Sequence, residues 1–465
     1  MSRSHAPAFL CADIGTSSLK AALIDTEGHA LALVRETYPA QQVVSGKVCA
    51  TDWENALARG WARLASETRV RPEAICISGN GPTLVPLTAS GAPLSPLHWH
   101  DPRSADGPLG TQSLYLPYVR AFMQRRSADY AQTAALYPAP EWLLHRLGAE
   151  PLTALPAPAY ESYYWDAAQC AVWGVDPGLF PPFAPVGSRC GRVSPEAERD
   201  LGLPSGVPLV LGGPDFIMAL IGVGALHQGR VCDRAGTSEG INLCSPSPPD
   251  GTPLRVLPHL EPGLWNVSRI IPASGRLFDW FRRLTGQNAR PYPEVLADLI
   301  PTQGVFQPAM ARFFPHESSG RLFLDSAGPK LMNPEDLGRA VLEAMGFLVR
   351  SALSELADAG FPVTEMWVSG GQGKNPQWNQ FKADLSGCAL GIPELCDGEL
   401  AGDAVTASVA LGENAHRAEA VKRMIRLRAR YAPLTETRAQ YTEYYCLYRE
   451  RQKTLEARWN QDGMV

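Results

Sequence analysis

Apolar and polar positions follow two different periods along this chain, and the period changes at turn residues. Residues 9–25, FLCADIGTSSLKAALID, read as an apolar strand, a small-residue turn and an alternating run. After the turn TEG (26–28), HALALVRETYP resumes a strand, so the opening predicts a β-meander. TDWENALARGWARLASE (51–67) carries apolar residues at helical spacing behind a Thr-Asp cap. EAICISGNG (73–81) is a short buried strand that ends in a glycine-bracketed loop, and VPLTASGAPLSPLHWHD adds two short strands around a turn. Residues 104–205 are less regular, with proline-rich stretches punctuating short helices. LVLGG (209–213) is strand-like and runs into PDFIMALIGVGAL, whose Pro-Asp start suits a helix N-terminus. Residues 229–254 again give strand, small-residue turn and strand. Residues 334–360 form the longest amphipathic helix, followed by the buried strand VTEMWVSGG (363–371), the loop GGQGKNP and the helix-like WNQFKADLSG. TETRAQYTEYYCLYRERQKTLEARW reads as a long charged helix docked by its tyrosines.

Two features stand out of this pattern. GTS occurs at 15–17 and again at 236–238, each time between apolar strand-like runs, which suggests two related halves, each with a phosphate-sized loop. In GVPLVLGGPDFIMALIGVGAL (206–226), Asp215 is the one residue that is not apolar, Gly or Pro. A lone buried charge is costly unless paired or neutralised. Pro214 opens the helix, so Asp215 falls in its first turn, where free N–H groups and the helix dipole favour a carboxylate. Asp215 is then either a plain helix-terminal carboxylate or a working group that points into a cleft.

Composition narrows the class. At 465 residues, with 45% hydrophobic content, the chain is long enough for two packed domains. A net charge of −5 argues against non-specific nucleic-acid binding, which needs a basic face. The ten cysteines include no CxxC pair, so zinc and redox spacings are missing and buried reduced thiols are expected. The first ten residues lack the apolar core of a signal peptide, and the Asp, two Pro and five Gly of 206–226 argue against a lipid-facing helix. A soluble, cytoplasmic protein is the expectation, with no membrane and no nucleic-acid partner.

The motifs are each ambiguous alone. A nucleotide needs small residues and backbone N–H groups near its phosphates, with a carboxylate to organise Mg²⁺. DIGTSSLK (13–20) supplies these through Asp13, Gly15, Thr16, Ser17 and Lys20, although Asp, Gly, Thr and Ser are also ordinary hairpin residues. Neither GxxxxGK[ST] nor GxGxxG is present, so a P-loop and a dinucleotide site are unsupported. GTSEG (236–240) matches the nucleophile elbow GxSxG, with Ser238 as nucleophile, but a strand-like run follows it where that mechanism needs a helix. HWHD (98–101) offers a His-x-His metal pair without further ligands in view. GGQGKN (370–375) places glycines before a helix N-terminus, where a base or phosphate could approach, or where the chain simply turns.

Taken in order, DIGTSSLK, WHDPR (99–103), GGPDFIMALIGVGA, AGTSEG, SGGQGKNPQWNQFKADLSG and ELAGDAVTASVALG resemble the FGGY carbohydrate kinases over roughly 9–450. The resemblance implies two actin-like (ribonuclease-H-like) α/β domains with a central catalytic cleft, here 1–234 on the sugar side and 235–465 on the nucleotide side. It implies Asp215 as catalytic base, also facing the substrate, and Asp13 as the group that places Mg²⁺ through water. Thr16 and Ser17 would face the terminal phosphates with Gly15 and Lys20, and Gly236 and Thr237 would meet the phosphates from the second domain. Gly370, Gly371 and Asn375 would line the α-phosphate and adenine. Trp99, Asp101 and Arg103 match the sugar-side loop, with Asn80 in the substrate loop.

Several departures matter, most of them on the sugar side. Gly79, Asn80, Gly81 and Pro82 stand where many pentulose kinases have Gln-Met-His-Gly, and Trp99-His100-Asp101 replaces Trp-Asn-Asp. AMARFFPHESSG replaces Gly-Glu-Arg-Ser-Pro, and Asp403 and Ala404 replace an apolar residue and a glycine of the last nucleotide-side helix. The function implied is ATP-dependent transfer of the γ-phosphoryl group to a hydroxyl of a ketopentose such as xylulose, or of a related ketose or polyol. The alternative is a sugar or nucleotide sensor on the same fold. Oligomeric state is open, with a homodimer as one option.

Overall fold

The alternation in the first forty residues folds as the period demands. In the computed structural model, β1 (Ala8–Ile14), β2 (Ser18–Asp25) and β3 (Ala30–Thr37) form an antiparallel meander. Every residue of β1 is buried, as a central strand requires, whereas β3 alternates toward solvent at the edge. The structure describes residues 7–103, 111–251, 253–271, 274–309, 313–315, 322–324 and 333–461. The departure AMARFFPHESSG (309–320) lies mostly outside them.

The sheet continues with β4 (Ala74–Gly79), β5 (Arg189–Arg192) and β6 (Pro208–Pro214), in the order β3-β2-β1-β4-β6-β5. β1, β4 and β6 are mutually parallel, and β5 returns antiparallel at the edge. A second sheet holds β7 (Val231–Ala235), β8 (Glu239–Ser245), β9 (Arg255–Pro258), β10 (Trp265–Ile271), β11 (Glu365–Ser369), β12 (Ala389–Pro393) and β13 (Leu427–Tyr431), in the order β9-β10-β8-β7-β11-β12-β13. From β10 to β13 its strand senses repeat the first sheet: two antiparallel steps, two parallel steps and an antiparallel edge. The two GTS turns therefore join corresponding strands in two copies of one topology, the second turn one residue shorter, and each closes with its glycine N–H on a serine carbonyl at 3.0 Å (Gly15 to Ser18, Gly236 to Ser238).

The helix expected over 51–67 spans Ala50–Thr68, and its cap differs from the Thr-Asp reading. Cys49 is the N-cap, and Asp52 accepts the Cys49 N–H at 2.9 Å in a capping box. The predicted pair of strands after residue 83 is one strand, Leu84–Thr88, with isolated bridges to Pro93 and Leu97, because a proline-rich return offers too few N–H donors for a ladder. The C-terminal helix Thr435–Gln461 docks through buried Tyr441, Tyr444, Tyr445 and Tyr448, as its tyrosines suggested. Eight of the ten cysteines are buried and all are free thiols. No described helix is long and apolar enough to cross a membrane.

The chain forms two compact units that differ from halves drawn at 234/235. One takes in residues up to Leu226 with Leu257–Leu264 and Asp397–Arg426, and the other takes in His227–Val256, Trp265–Cys396 and the chain from Leu427. The late segment joins the first unit because the helices Asp215–Gly222 and Gly398–Ala410 touch backbone to backbone. A Cβ on Gly222 would sit 1.9 Å from the Gly398 carbonyl oxygen, and one on Gly402 would sit 2.0 Å from that of Met218.

Glu141 is a fully buried carboxyl of this first unit, on the helix Ala139–Leu147. One oxygen accepts the Ala154 N–H at 2.9 Å, and the other has no hydrogen-bond partner among the described residues. Burial pushes its pKa from 4.5 up to about 7, against the lowering effect of the backbone bonds. The folded chain thus binds more protons than the unfolded one between those values, and stability falls as pH rises through them. The loss is about 3 kcal/mol. Denaturant titrations of wild type and Glu141→Gln at about pH 5 and about pH 8 check this, since the variant should show a shallower fall. Equal falls in the two proteins would count against a proton held on Glu141.

Candidate active site

Parallel strands bring their C-terminal ends to one edge, which is where open α/β sheets bind ligands. In the first unit, Asp13 on β1 is the register partner of Ser78 on β4, and Ser78 pairs with Gly213 on β6. Pro214 pairs with Gly79, so Asn80 and Asp215 leave the sheet side by side in register. The Asn80 N–H donates to the Ile14 carbonyl at 3.0 Å, which ties the substrate-loop position to the end of β1.

Asp215 is the first residue of its helix. Pro214 precedes it as N-cap with φ −61° and ψ 137°, and Gly213 supplies φ +127° at a register shift that turns β6 out of the sheet. The half-buried carboxylate accepts the Phe216 N–H at 2.7 Å, as a first-turn aspartate should. A Cβ on Gly81 would lie 3.5 Å from both the Pro214 Cβ and the Tyr115 hydroxyl. Burial raises the Tyr115 phenol far above its usual range, and Glu141 and Asp215 add to the rise.

Around Lys20 the geometry is ionic. Its Nζ lies 3.2 Å from Asp397, 3.8 Å from Asp13 and 3.8 Å from Glu399. Burial works against its charge, but Glu399, Asp13 and Asp397 outweigh it and raise the Lys20 pKa, so it stays an ammonium. Asp397 and Glu399 lie at the start of the helix Gly398–Ala410; Asp397 carried no motif in the sequence, and Glu399 opened ELAGDAVTASVALG without a role of its own. Three carboxylates against one ammonium leave an excess of negative charge that suits a divalent cation. Among the described residues no group of three or more His, Cys, Asp and Glu has metal-holding geometry. Asp13, beside these carboxylates, is a residue that could hold a hydrated magnesium ion.

Asp403 lies deeper on the same helix, with no exposed surface. It accepts the Ser78 hydroxyl at 2.9 Å and faces the Cys76 thiol at 3.6 Å. Burial drives its carboxyl well above the ordinary range, and its hydrogen bonds make it a buried link between helix and sheet.

On the sugar-side loop, the Trp99 indole N–H reaches the Thr16 hydroxyl at 3.4 Å, and Tyr118 donates to the Trp99 carbonyl. Asp101 accepts the His98 N–H at 2.7 Å, which closes the loop on itself. The exposed Arg103 stacks on the Tyr118 ring at 5.9 Å. His98 and His100 stack on each other with centroids 5.2 Å apart.

In the second unit, the turn 236–238 joins β7 to β8, so Ser238 runs into a strand and the hydrolase elbow is absent. Gly370 has φ +107°, and a Cβ there would sit 2.5 Å from the Ala235 carbonyl oxygen. The glycine loop and the GTS turn thus touch. Gly371 is exposed with open space around its Cα, whereas Asn375 caps the helix Pro376–Ser386 by accepting the Trp378 N–H at 2.8 Å. Gln372, which sequence reasoning passed over, bridges the two loops by donating to the Gly236 carbonyl at 3.2 Å.

Residues 234–411 match the FGGY family of carbohydrate kinases, C-terminal domain. Autoinducer-2 kinase of Yersinia pestis is 25% identical across 70% of this chain and 66% of its own length, so the match spans just under two thirds of that relative. Among solved structures, xylulose kinase from Rhodospirillum rubrum superposes with TM-score 0.76 at 19% identity, covering 98% of this chain and 100% of that one. Gluconate kinase from Lactobacillus acidophilus gives 0.78 at 19% identity, with 98% and 100% covered. Plasmodium falciparum glycerol kinase with ADP gives 0.75 at 17% identity, with 96% and 98% covered. These likenesses carry the two-domain actin-like α/β fold. Beyond the fold, residues 234–411 are similar to the C-terminal domain of the FGGY carbohydrate kinases, and the second sheet that they largely span repeats the topology of the first.

Proposed function

We propose that the chain is an ATP-dependent carbohydrate kinase that transfers the γ-phosphoryl group to a hydroxyl of a polyhydroxylated acceptor, with a ketopentose as the leading candidate. The observation that carries this reading is the meeting of Asp13, the GTS turn, Asn80 and Asp215 at one edge of the first sheet. Asp215 is the base for the attacking hydroxyl. Asn80, Trp99, Asp101 and Arg103 bind the acceptor, and Gly15, Thr16, Ser17 and Lys20 meet the terminal phosphates. Gly236, Thr237, Gly370, Gly371 and Asn375 bind the nucleotide.

Phosphoryl transfer asks little covalent work of a protein, and positioning and electrostatics dominate. Magnesium, when bound, neutralises charge on the phosphates. Asp215 accepts the hydroxyl proton as oxygen attacks, and its N-terminal helix position keeps it ionised and aimed. Lys20, held by three carboxylates, is a fixed cation next to Asp13.

The similar proteins are named for acceptors as different as autoinducer-2, xylulose, gluconate and glycerol. A coupled ADP-release screen over pentuloses, hexuloses, polyols, sugar acids and autoinducer-2 tests the proposal. Turnover with a ketopentose is expected, and turnover confined to sugar acids would overturn the acceptor class. Ligand binding without ADP release would favour the sensor reading.

A further inference from the structure

Three ionisable side chains lie buried behind the second GTS turn. Asp233 on β7 is 0% exposed, Glu239 on β8 is 2% exposed and Lys382 on the helix Pro376–Ser386 is 1% exposed. The Lys382 ammonium donates to both carboxylates. Apolar residues of similar volume often serve stability as well as a buried ionic group does. Stability is thus a weak reason for this triad, and its connections suggest a better one.

From Glu239 a polar chain leads to the turn. The Ser274 hydroxyl donates to Glu239. Gln372 Nε2 donates to Ser274 Oγ at 3.1 Å and to the Gly236 carbonyl at 3.2 Å. Gln372 Oε1 accepts the Trp378 indole N–H at 3.0 Å. The directions are fixed, because an ammonium and an indole N–H only donate, and so the Gln372 amide must present its NH₂ to the turn. On the other side, the Arg276 N–H donates to the Thr237 carbonyl at 2.9 Å. The carbonyls of both Gly236 and Thr237 are therefore held by protein donors. A phosphate at this turn meets peptide planes whose oxygens are already turned away, which removes a repulsive dipole. Burial and the neighbouring Glu239 push the Asp233 carboxyl well above its usual range, against the pull of Lys382.

We propose that Lys382 is a positioning residue for nucleotide binding, acting through Glu239, Ser274 and Gln372 to fix the peptide planes of the Gly236–Thr237 turn. This rests on the kinase reading above, in which that turn meets the phosphates.

Two variants test it, with calorimetric binding of ADP in the presence of magnesium and with steady-state kinetics. Ser274→Ala removes one buried hydroxyl that no ligand can reach. The combined Lys382→Met, Asp233→Asn and Glu239→Gln variant neutralises the triad without leaving a lone charge. Each is expected to weaken ADP and raise the KM for ATP by about tenfold, short of the roughly hundredfold cost of a misplaced group. kcat and the acceptor KM should stay near wild type. A merely structural loss would lower the active fraction, and with it kcat, at unchanged KM. Unchanged ADP affinity in folded Ser274→Ala protein, or equal losses for ADP and acceptor, would overturn the proposal. If the triple variant fails to fold, Ser274→Ala alone decides. A wild-type chain that binds no ADP overturns the kinase reading and this inference together, and the unmutated control shows it first.

Discussion

Asp215→Asn is expected to lower kcat by about 10²–10⁴-fold, the range attributed to acid–base catalysis. The substitution is chosen because it separates two roles of one side chain. Asparagine keeps the shape and still accepts the Phe216 N–H, so the helix start at Pro214 should survive. What it loses is the capacity to take a proton. A plain helix-terminal carboxylate contributes only about 0.3–1 kcal/mol through the dipole, and its loss would leave turnover almost untouched. The kinase reading needs a barrier increase of about 3–5 kcal/mol, with the KM for ATP little changed because the nucleotide is bound by other groups. Steady-state kinetics with a saturating acceptor distinguishes the two. Near wild-type turnover would remove Asp215 from the chemistry.

Gly402→Ala is expected to destabilise the first unit by about 3 kcal/mol or more, since overpacking costs typically 1–3 and here the obstacle is backbone. The added Cβ would sit 2.0 Å from the Met218 carbonyl oxygen and 2.7 Å from its carbon, and neither belongs to a flexible side chain that can swing away. The helices Asp215–Gly222 and Gly398–Ala410 must then separate. That separation also moves Asp397, Glu399 and Asp403, which carry the Lys20 ion pairs and the Ser78 hydrogen bond. Denaturant unfolding should show a lowered midpoint, and activity should fall beyond the loss of folded protein. An unchanged midpoint would mean that the close helix contact does not carry this unit.

Much of the fold was legible because it is written in short-range periods. The meander of β1–β3, the strand into Asp215 and the tyrosine-docked C-terminal helix all follow from alternation, helical spacing and turn residues. The GTS echo pointed to a duplication, and the matching strand senses of the two sheets bear that out. The cap of the helix Ala50–Thr68 was missed because Cys49 is a rare N-cap, and Thr51-Asp52 masked it. The pairing of Asp397 and Glu399 with Lys20 was invisible for a different reason. They reach Lys20 across some 380 residues of chain, and nothing local marks that contact. Lys382 hid in plain sight: a lysine in a helix reads as a solvated face, and periodicity cannot tell that this face is buried against two carboxylates. Asp403 did register as a departure, but only the structure shows it as a buried hydrogen-bonded link to Ser78. For the buried charges the missing information is non-local pairing, which decides their energetics.

The central claim is that this chain moves a phosphoryl group from ATP to a sugar hydroxyl with Asp215 as base. Its most direct measurement is the yield of ADP and of phosphorylated acceptor in one reaction, with wild type and Asp215→Asn side by side. The account predicts equal amounts of the two products from the wild-type chain with a polyhydroxylated acceptor, and near absence of both from the variant. ADP formed at the same rate with and without every acceptor, or equal product from the variant, would contradict it.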